Sequence, residues 1–241
     1  MTDRGEAALR CTPDTLEIGP SRMHWTGSAL VIDIDEATVP HPGRLQGQVV
    51  ISPEAVTGVE VPLAPDGSHV WRPFAPVSRI SVQLNQRGWN WQGHGYFDAN
   101  FGTAALEDDF TYWTWGRFPT PTGATCLYDA TRKDGSALAV AVAFDREGGA
   151  RLIEAPPKAR LARTLWALRR ETRADTGYQP RQIKPMLDAP FYSRSVVRSQ
   201  IGGVETDGVH EALDLTRFAR PWLKPMLALK VPRRRNWVWK D

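Results

Sequence analysis

Short runs in which apolar and polar residues alternate limit most strongly what this chain can fold into. ALVIDIDE (29–36) and SRISVQL (78–84) alternate as half-buried β-strands do, because successive side chains on a strand point to opposite faces. Four further segments are strand-like: GQVVIS (47–52), TGVEVP (57–62), TCLYDA (125–130) and ALAVAVAF (137–144). Turn residues separate these runs, and 241 residues contain 19 prolines and 20 glycines. The pattern predicts an all-β sandwich or barrel rather than βαβ units.

The segment ARLARTLWALRRETR (159–173) is compatible with two structures. Leu161, Leu165 and Leu168 recur at i, i+4 and i+7, which is the spacing of one helix face. Read as a strand from Thr164 onward, the same residues alternate between two faces. We favour the strand because the surrounding chain is strand-like, and the helix remains the alternative. A second segment, PWLKPML (221–227), is interrupted by two prolines, so any helix there is short.

The composition changes near residues 86–88, where the alternating runs give way to an aromatic segment. Nine of the 23 aromatic residues lie between Trp89 and Arg117, together with His94, Asp98 and the acids at 107–109. Aromatic walls bury a large apolar area, and a carboxylic acid enclosed by them has a raised pKa. The alternative is an aromatic β-core with the acids in solvated turns. The change predicts a domain boundary, with an N-terminal domain at 1–87 and a C-terminal domain at 88–241.

Charge is distributed unevenly along the chain, although the net charge is only +3. Residues 1–150 carry a net charge of −7 and residues 151–241 one of +10. A basic C-terminal third indicates an anionic partner surface. At its end, RRRNWVWK (233–240) combines arginine and lysine with tryptophan, a mixture typical of the membrane–water interface. An ordinary solvated tail is the alternative, and no motif supports nucleic-acid binding.

Several functional classes lack their sequence signals. No run of 18 apolar residues and no secretory leader is present, and Cys11 and Cys126 are too few for a disulfide framework, which predicts a reduced cytoplasmic chain. Glycine-rich phosphate loops and a GxSxG elbow are missing, and the five histidines never pair at metal-binding spacing. We therefore expect no cofactor and no metal, and any enzymatic activity here is expected to use acid–base chemistry alone.

Two short motifs place polar and aromatic residues two positions apart. HVWRPFAP (69–76) contains His69 and Trp71, and GHGYFDANFG (93–102) contains Tyr96 and Asp98. On a strand, residues i and i+2 share a face, so each pair would face one cavity. A core or turn histidine is the alternative for His69, and an Asx-turn is the alternative for Asp98.

These motifs, in order along the chain, resemble those of the acyclic carotenoid 1,2-hydratases (hydroxyneurosporene synthases), within a lipocalin-like superfamily. The resemblance rests on HVWRPFAP, GHGYFDANFG, LEDDFTYWTWGRF, CLYDATRKDGSAL, DAPFYSRS and VHEALDLTRF. It implies two lipocalin-like antiparallel β-barrel domains. Because family members carry additional residues before the point where this chain begins, the first barrel is expected to be incomplete.

The resemblance also implies a reaction and a site. The reaction is a cofactor-free addition of water to a terminal double bond of neurosporene, lycopene or related acyclic carotenes, taken from the membrane. The implied catalytic residues are His69, Trp71, Tyr96 and Asp98. A chain with this function would lie on the cytoplasmic side, in peripheral contact with membrane lipid.

Hydration of an isolated alkene starts with its protonation, because water is too weak a nucleophile to attack first. We expect Asp98 to be the acid, so its pKa would have to rise from about 3.9 to near neutrality, a difference of about 4 kcal/mol. Trp71, with one or more of Trp89, Trp91, Trp113 and Trp115, would stabilise the cation. His69 would position the water or take its proton, and Tyr96 would hydrogen-bond Asp98. An isoprenoid or polyene cyclase and a carotenoid carrier are the rival functions.

Overall fold

The computed structural model describes residues 4–39 and 41–223, and nearly all of its regular structure is antiparallel β. The strands in chain order are β1 (Leu9–Cys11), β2 (Thr15–Ile18), β3 (Ser21–Trp25), β4 (Leu30–Thr38), β5 (Gly43–Pro53), β6 (Val61–Pro62), β7 (His69–Leu84), β8 (Asn90–Gly102), β9 (Phe110–Thr120), β10 (Gly123–Arg132), β11 (Ala137–Asp145), β12 (Ala150–Leu152), β13 (Lys158–Leu161), β14 (Arg170–Arg173), β15 (Arg181–Asp188), β16 (Tyr192–Ile201) and β17 (Val204–Asp214). Within these ranges, helical structure is limited to α1 (Leu106–Asp109), α2 (Leu215–Phe218) and the 3₁₀ turns Glu6–Ala8 and Pro221–Leu223. The predicted all-β class is confirmed.

The chain forms two compact units that are discontinuous in sequence. Within the described ranges, the first unit contains the residues up to Glu54, the segment Ser78–Tyr96 and the residues from Pro221 onward, and the second contains Ala55–Val77 and Phe97–Arg220. Strands β7 and β8 pair with each other and contribute residues to both units. A single boundary between residues 87 and 88 stays a prediction.

The first unit is an antiparallel meander of β1 to β5, continued by the second half of β7. Residues Gly47–Pro53 of β5 pair with Ser78–Leu84 of β7. Leu30 on β4 and Ile51 on β5 lie opposite each other and are both buried. Val82 and Leu84 of SRISVQL are buried as well, so the alternation places the buried apolar residues of both segments on one side of this sheet.

The second unit is built on a seven-stranded sheet with the order β12-β11-β10-β9-β17-β16-β15. Its central strands are covered on both faces, and β10 is accordingly buried over eight consecutive residues, Gly123–Ala130. On one face lie Tyr128 and Cys126, and on the other lies Leu127, packed with Phe118. The short pair β13–β14 covers the second face, where Arg173 donates two hydrogen bonds to Asp129.

Most strand predictions are confirmed, and one is largely wrong. The predictions for 47–52, 78–84, 125–130 and 137–144 fall within β5, β7, β10 and β11, and that for 29–36 overlaps β4 in all but its first residue. TGVEVP (57–62) forms a strand only at Val61–Pro62. Thr57 instead donates its backbone N–H to Phe74 and its hydroxyl to Pro73, and this isolated contact replaces a continuous ladder.

The segment 159–173 is neither one helix nor one strand. Its ends form β13 and β14, which pair antiparallel, with Lys158 opposite Arg173. Between them the chain turns, and Ala167 has a φ of 55°. Leu161 and Leu168 are buried, but Leu165 is fully exposed, so the three leucines do not share a helical stripe. The favoured strand is therefore correct only at the two ends of the segment.

The sheets are open, whereas the resemblance implied closed barrels. In the described part of the chain, each hydrogen-bonded strand order ends at edge strands. On one edge of the second unit, β15 is almost entirely exposed, contains Pro185 and pairs with β16 in a shifted register. Such an edge is poorly suited to further pairing with another strand.

The segment 221–227 is helical at Pro221–Leu223, as a short 3₁₀ turn. Its remainder and the RRRNWVWK segment lie outside the described residues.

No helix among the described residues has the length and apolar character needed to cross a bilayer.

Candidate active site

The first half of β7 places His69 and Trp71 on one buried face. Strand β7 starts at His69, and its burial alternates so that His69, Trp71 and Pro73 point inward while Val70 and Arg72 are half-buried. Trp71 is completely inaccessible to solvent. The prediction that these two motif residues share a strand face is thus in agreement with the structure.

Asp98 on β8 is joined directly to Trp71. The indole Nε1–H of Trp71 donates a hydrogen bond of 2.9 Å to Oδ2 of Asp98, and the Asp98 side chain is half-buried. Residues 71 and 98 are 27 positions apart in sequence, so the pairing of β7 with β8 is what brings the two motifs together.

His69 has a different acidic partner. Its Nε2 lies 2.7 Å from Oδ2 of Asp109, which ends helix α1, and its ring meets Phe110 edge-on at 5.1 Å between centroids. Gly102 is needed beside it, because a Cβ there would lie 2.8 Å from Nδ1 of His69 and 2.3 Å from the Ser68 carbonyl oxygen. The pairing with Asp109 fixes the orientation of the imidazole.

A small cavity of about 140 Å³ adjoins His69. It is lined by Leu63, His69, Val70, Asn100, Phe101, Gly102, Ala104 and Leu106. A water molecule in bulk liquid occupies about 30 Å³, and an ordered water needs two to four polar partners. His69 and Asn100 provide polar groups in this otherwise apolar lining, so the cavity has room for several waters next to the imidazole.

The other residues predicted for the site, Tyr96 and four tryptophans, are divided between the two compact units. Tyr96 lies on β8 two residues before Asp98, is half-buried, and ends the part of β8 that belongs to the first unit. Trp89 and Trp91 also belong to the first unit, and each is about half exposed. Trp113 and Trp115 lie on β9 in the second unit, the unit that contains Trp71 and Asp98.

Trp113 and Trp115 share one face of the seven-stranded sheet with Tyr128 of β10. Tyr128 lies opposite Trp115, its ring lies 5.8 Å from Trp113, and it also lies 5.6 Å from Trp71. The Nε1–H of Trp113 is buried, and within residues 4–39 and 41–223 no hydrogen-bond acceptor reaches it. The Trp71–Asp98 pair is therefore connected to an aromatic sheet face through Tyr128.

Two titratable residues of this face were not identified from the sequence, Tyr128 on β10 and Glu211 on β17. Burial raises the pKa of Tyr128, and the charges of Asp98 and Glu211 raise it further. Burial also raises the pKa of Glu211, with a smaller contribution from Asp98. Both residues lie in motifs that carried the resemblance, CLYDATRKDGSAL and VHEALDLTRF, but no spacing rule singles them out.

The arrangement combines a carboxyl group, aromatic rings and a nearby space for water. Asp98 can donate or accept a proton, and the rings of Trp71, Trp113 and Tyr128 present π-faces that attract positive charge. Such a site suits an acid-initiated reaction of an apolar substrate better than the attack of a nucleophile on a polar one.

Comparison with known proteins gives a consistent assignment. A family model described as carotenoid hydratase CrtC matches residues 1–240. A relative from Cereibacter sphaeroides named acyclic carotenoid 1,2-hydratase is 58% identical over 238 residues, which cover 98% of this chain and 85% of the relative. A relative of the same name from Rhodobacter capsulatus is 55% identical over 243 residues, covering 100% of this chain and 86% of the relative.

Two solved structures resemble the fold. An AttH protein from Nitrosomonas europaea superposes with a TM-score of 0.59 at 15% identity, covering 86% of this chain and 71% of that one. CghA in complex with Sch210972 superposes with a TM-score of 0.50 at 12% identity, covering 86% and 69%. At these identities the likeness concerns the fold alone, and it confirms the lipocalin-like fold class.

Proposed function

This chain belongs to the carotenoid hydratase CrtC family, and we propose on that basis that it is a carotenoid 1,2-hydratase. It would add water across the terminal C1–C2 double bond of acyclic carotenes such as neurosporene and lycopene, without a cofactor. The observation that carries the proposal is the hydrogen bond between Trp71 and Asp98, which joins the two motifs of the chain in one aromatic site.

Asp98 would start the reaction by protonating C2 of the alkene, which leaves the positive charge on the tertiary carbon C1. The acid must hold its proton near neutral pH until the substrate arrives, and enclosure by aromatic side chains favours the neutral form. The N–H of Trp71 donates to Oδ2 of Asp98 and fixes the direction of the carboxyl group within the aromatic site, which supports this assignment.

The aromatic rings would stabilise the cation without reacting with it. A desolvated cation over a ring face gains about 2 kcal/mol. Trp71 and Tyr128 lie in ring contact, and Trp113 contacts Tyr128 in turn. The sequence predicted stabilisation of the cation by tryptophan rings alone. The contacts of Tyr128 with Trp71 and Trp113 support a role for this tyrosine as well.

Water must then reach C1. His69, oriented by Asp109 beside the 140 Å³ cavity, is the group proposed to position that water. Tyr96, on the same strand as Asp98, is proposed to set the direction of the acid.

The substrate has no appreciable water solubility, so we also propose that the protein meets it at the membrane surface, on the cytoplasmic side, through peripheral contact.

The test is incubation of the purified protein with lycopene in liposomes made up in ¹⁸O-labelled water. The hydratase proposal predicts pigment that has gained the mass of one or two waters, with the label in the new hydroxyl groups. A cyclised product of unchanged mass would instead support a lipocalin-like isoprenoid or polyene cyclase. Pigment that is bound and returned unchanged would support a carrier.

A further inference from the structure

Glu211 is a second carboxyl group on the aromatic face that carries the proposed site. It lies on β17 opposite Trp115 of β9, and Trp115 lies opposite Tyr128 of β10. Directly opposed residues of antiparallel strands share a face, so Glu211 lies in one row with Trp115 and Tyr128. Its side chain is only 16% exposed. Burying a carboxyl group among aromatic rings costs free energy unless the group is paired, so its presence here calls for a binding partner or a functional role.

Two residues of β16 stabilise the ionised form of Glu211. Arg194 lies opposite it, with Nε 3.4 Å from Oε1, and the Tyr192 side chain is hydrogen-bonded to it. Burial nevertheless raises the pKa of Glu211. A carboxyl group that an arginine contacts and that burial makes more basic than usual is suited to accept a proton.

We propose that Glu211 is the base of the hydration step and takes the proton from the water that adds to C1. This inference rests on the proposed hydratase function and adds a residue to it. Asp98 and Glu211 then act as a pair in which one carboxyl group is protonated and the other ionised, an arrangement that separates acid and base roles.

The O–H bond of Asp98 breaks and a C–H bond forms at C2; water oxygen then bonds to C1, and the oxonium so formed loses a proton to Glu211. Asp98 ends as a carboxylate and Glu211 as a neutral acid. Transfer of one proton from Glu211 to Asp98 restores both. Tyr128 is the group suited to relay it, because its ring contacts Trp71 and it lies in one row with Trp115 and Glu211.

A donor for the water oxygen lies on the same face. Trp113 is the diagonal neighbour of Glu211, because Trp115 lies opposite Glu211 and Trp113 is two residues away on β9. The buried Nε1–H of Trp113 lacks an acceptor in the described ranges. In this proposal the water that adds to C1 accepts from Trp113 and donates to Glu211, and His69 positions the waters of its cavity that replace it after each turnover.

Other charged and titratable groups on this face set the conditions for the pair. From β16 these are Tyr192 and Arg194, from β9 Arg117, from β10 Tyr128 and Cys126, and from β8 Asp98. Arg117 is buried and donates to the Pro76 carbonyl oxygen, and burial raises the pKa of both Tyr128 and Cys126. Arg194 is therefore the cation in direct contact with Glu211, and it is the natural site for a second substitution.

The experiment measures two steps separately in Glu211→Gln, using lycopene in liposomes made up in D₂O. We expect hydration to fall by about 100-fold or more, the usual contribution of a general base. Protonation by Asp98 should continue, and a cation that is not captured by water loses a proton again, so recovered lycopene should contain deuterium. Glu205→Gln, the same change at an exposed position of β17, is the control and should hydrate as the wild type does.

Hydration by a folded Glu211→Gln protein within about twofold of the wild type would overturn the proposal. Equal loss of hydration and of deuterium exchange would also overturn it, because Glu211 would then act on the acid step. Wild-type protein that shows neither hydrated product nor exchange would instead refute the hydratase function itself.

Arg194→Met tests the same proposal without altering the carboxyl group. Because Arg194 is 45% exposed, its replacement should leave the fold intact. Loss of the cation raises the pKa of Glu211, so the acid limb of the hydration–pH profile should move to higher pH. An acid limb at the wild-type position would contradict the role of Glu211.

Discussion

Trp71 has two functions in the proposed site, and a pair of substitutions can separate them. Its N–H donates to Asp98 and its ring packs against Tyr128, while its surface is entirely buried. Phenylalanine keeps a ring but has no donor, and alanine removes both. The contribution of the ring face can therefore be distinguished from that of the hydrogen bond.

We expect Trp71→Phe to reduce turnover by about 10-fold, the value of one hydrogen bond of about 1.4 kcal/mol. Trp71→Ala should reduce turnover further and lower the free energy of unfolding by about 3–5 kcal/mol, since it leaves a large cavity. Turnover assays and urea unfolding measure both effects, with Trp166→Phe at a half-exposed position as the control. Equal turnover of the Phe and Ala variants would show that the ring face contributes nothing.

At the scale of single residues, the sequence predicted which side chains share a strand face, but it did not predict which side chains contact each other. The i, i+2 spacing was sufficient to place His69 beside Trp71 on one side of β7. The contacts of Asp98 with Trp71 and of Asp109 with His69 join residues 27 and 40 positions apart. No local pattern encodes such pairs, because they depend on the packing of β8 and α1 against β7.

At the scale of elements, β17 supplies both faces of its sheet with polar residues at adjacent positions. Glu211 points to the aromatic face, while His210 points to the opposite face, where its Nε2 lies 2.8 Å from the Glu171 carbonyl oxygen on β14. Burial lowers the pKa of His210 to about 4. The alternation of a strand thus places a buried neutral histidine directly behind the site.

His210 makes the stability of the fold depend on pH. Its pKa is about 6.5 in the unfolded chain and about 4 in the folded one, so the unfolded chain binds the proton first as the pH falls. The free energy of unfolding should therefore decrease between pH 6.5 and pH 4, by roughly 3 kcal/mol from this residue. Urea unfolding of the wild type and of His210→Gln across this range measures it. Parallel pH profiles would show that His210 contributes nothing.

Elements were predicted well where the apolar pattern is repeated along a whole strand. They were predicted poorly where one face is irregular, as at Leu165, which is fully exposed between two buried leucines. Whether the sheets close into barrels could not be predicted from local sequence patterns either. The exposed edge strand β15 can be recognised as an edge only when its pairing with β16 is known.

At the scale of the whole molecule, the uneven charge is the feature that bears on substrate delivery. The C-terminal 91 residues carry a net charge of +10, and four of the basic residues lie in RRRNWVWK (233–240), outside the described residues. A basic, tryptophan-containing segment attracts anionic lipid at about 1 kcal/mol for each lysine or arginine near the surface.

We expect binding to phosphatidylserine-containing vesicles that weakens as salt is added and weakens again when residues 233–241 are removed. Cosedimentation at increasing salt concentration measures it, with neutral phosphatidylcholine vesicles as the control. Binding that does not change with salt, or no binding of the intact chain, would contradict membrane delivery by this segment.

The Asp98→Asn variant tests the proposed chemistry most directly. Asparagine keeps the shape and can still accept from Trp71, but it has no carboxylic proton to give. Hydration of lycopene in liposomes should fall by about 100-fold or more while the protein still binds the pigment, and Asp207→Asn, at an exposed position of β17, should hydrate normally. Hydration by Asp98→Asn at the wild-type rate would contradict the role of Asp98 as the acid.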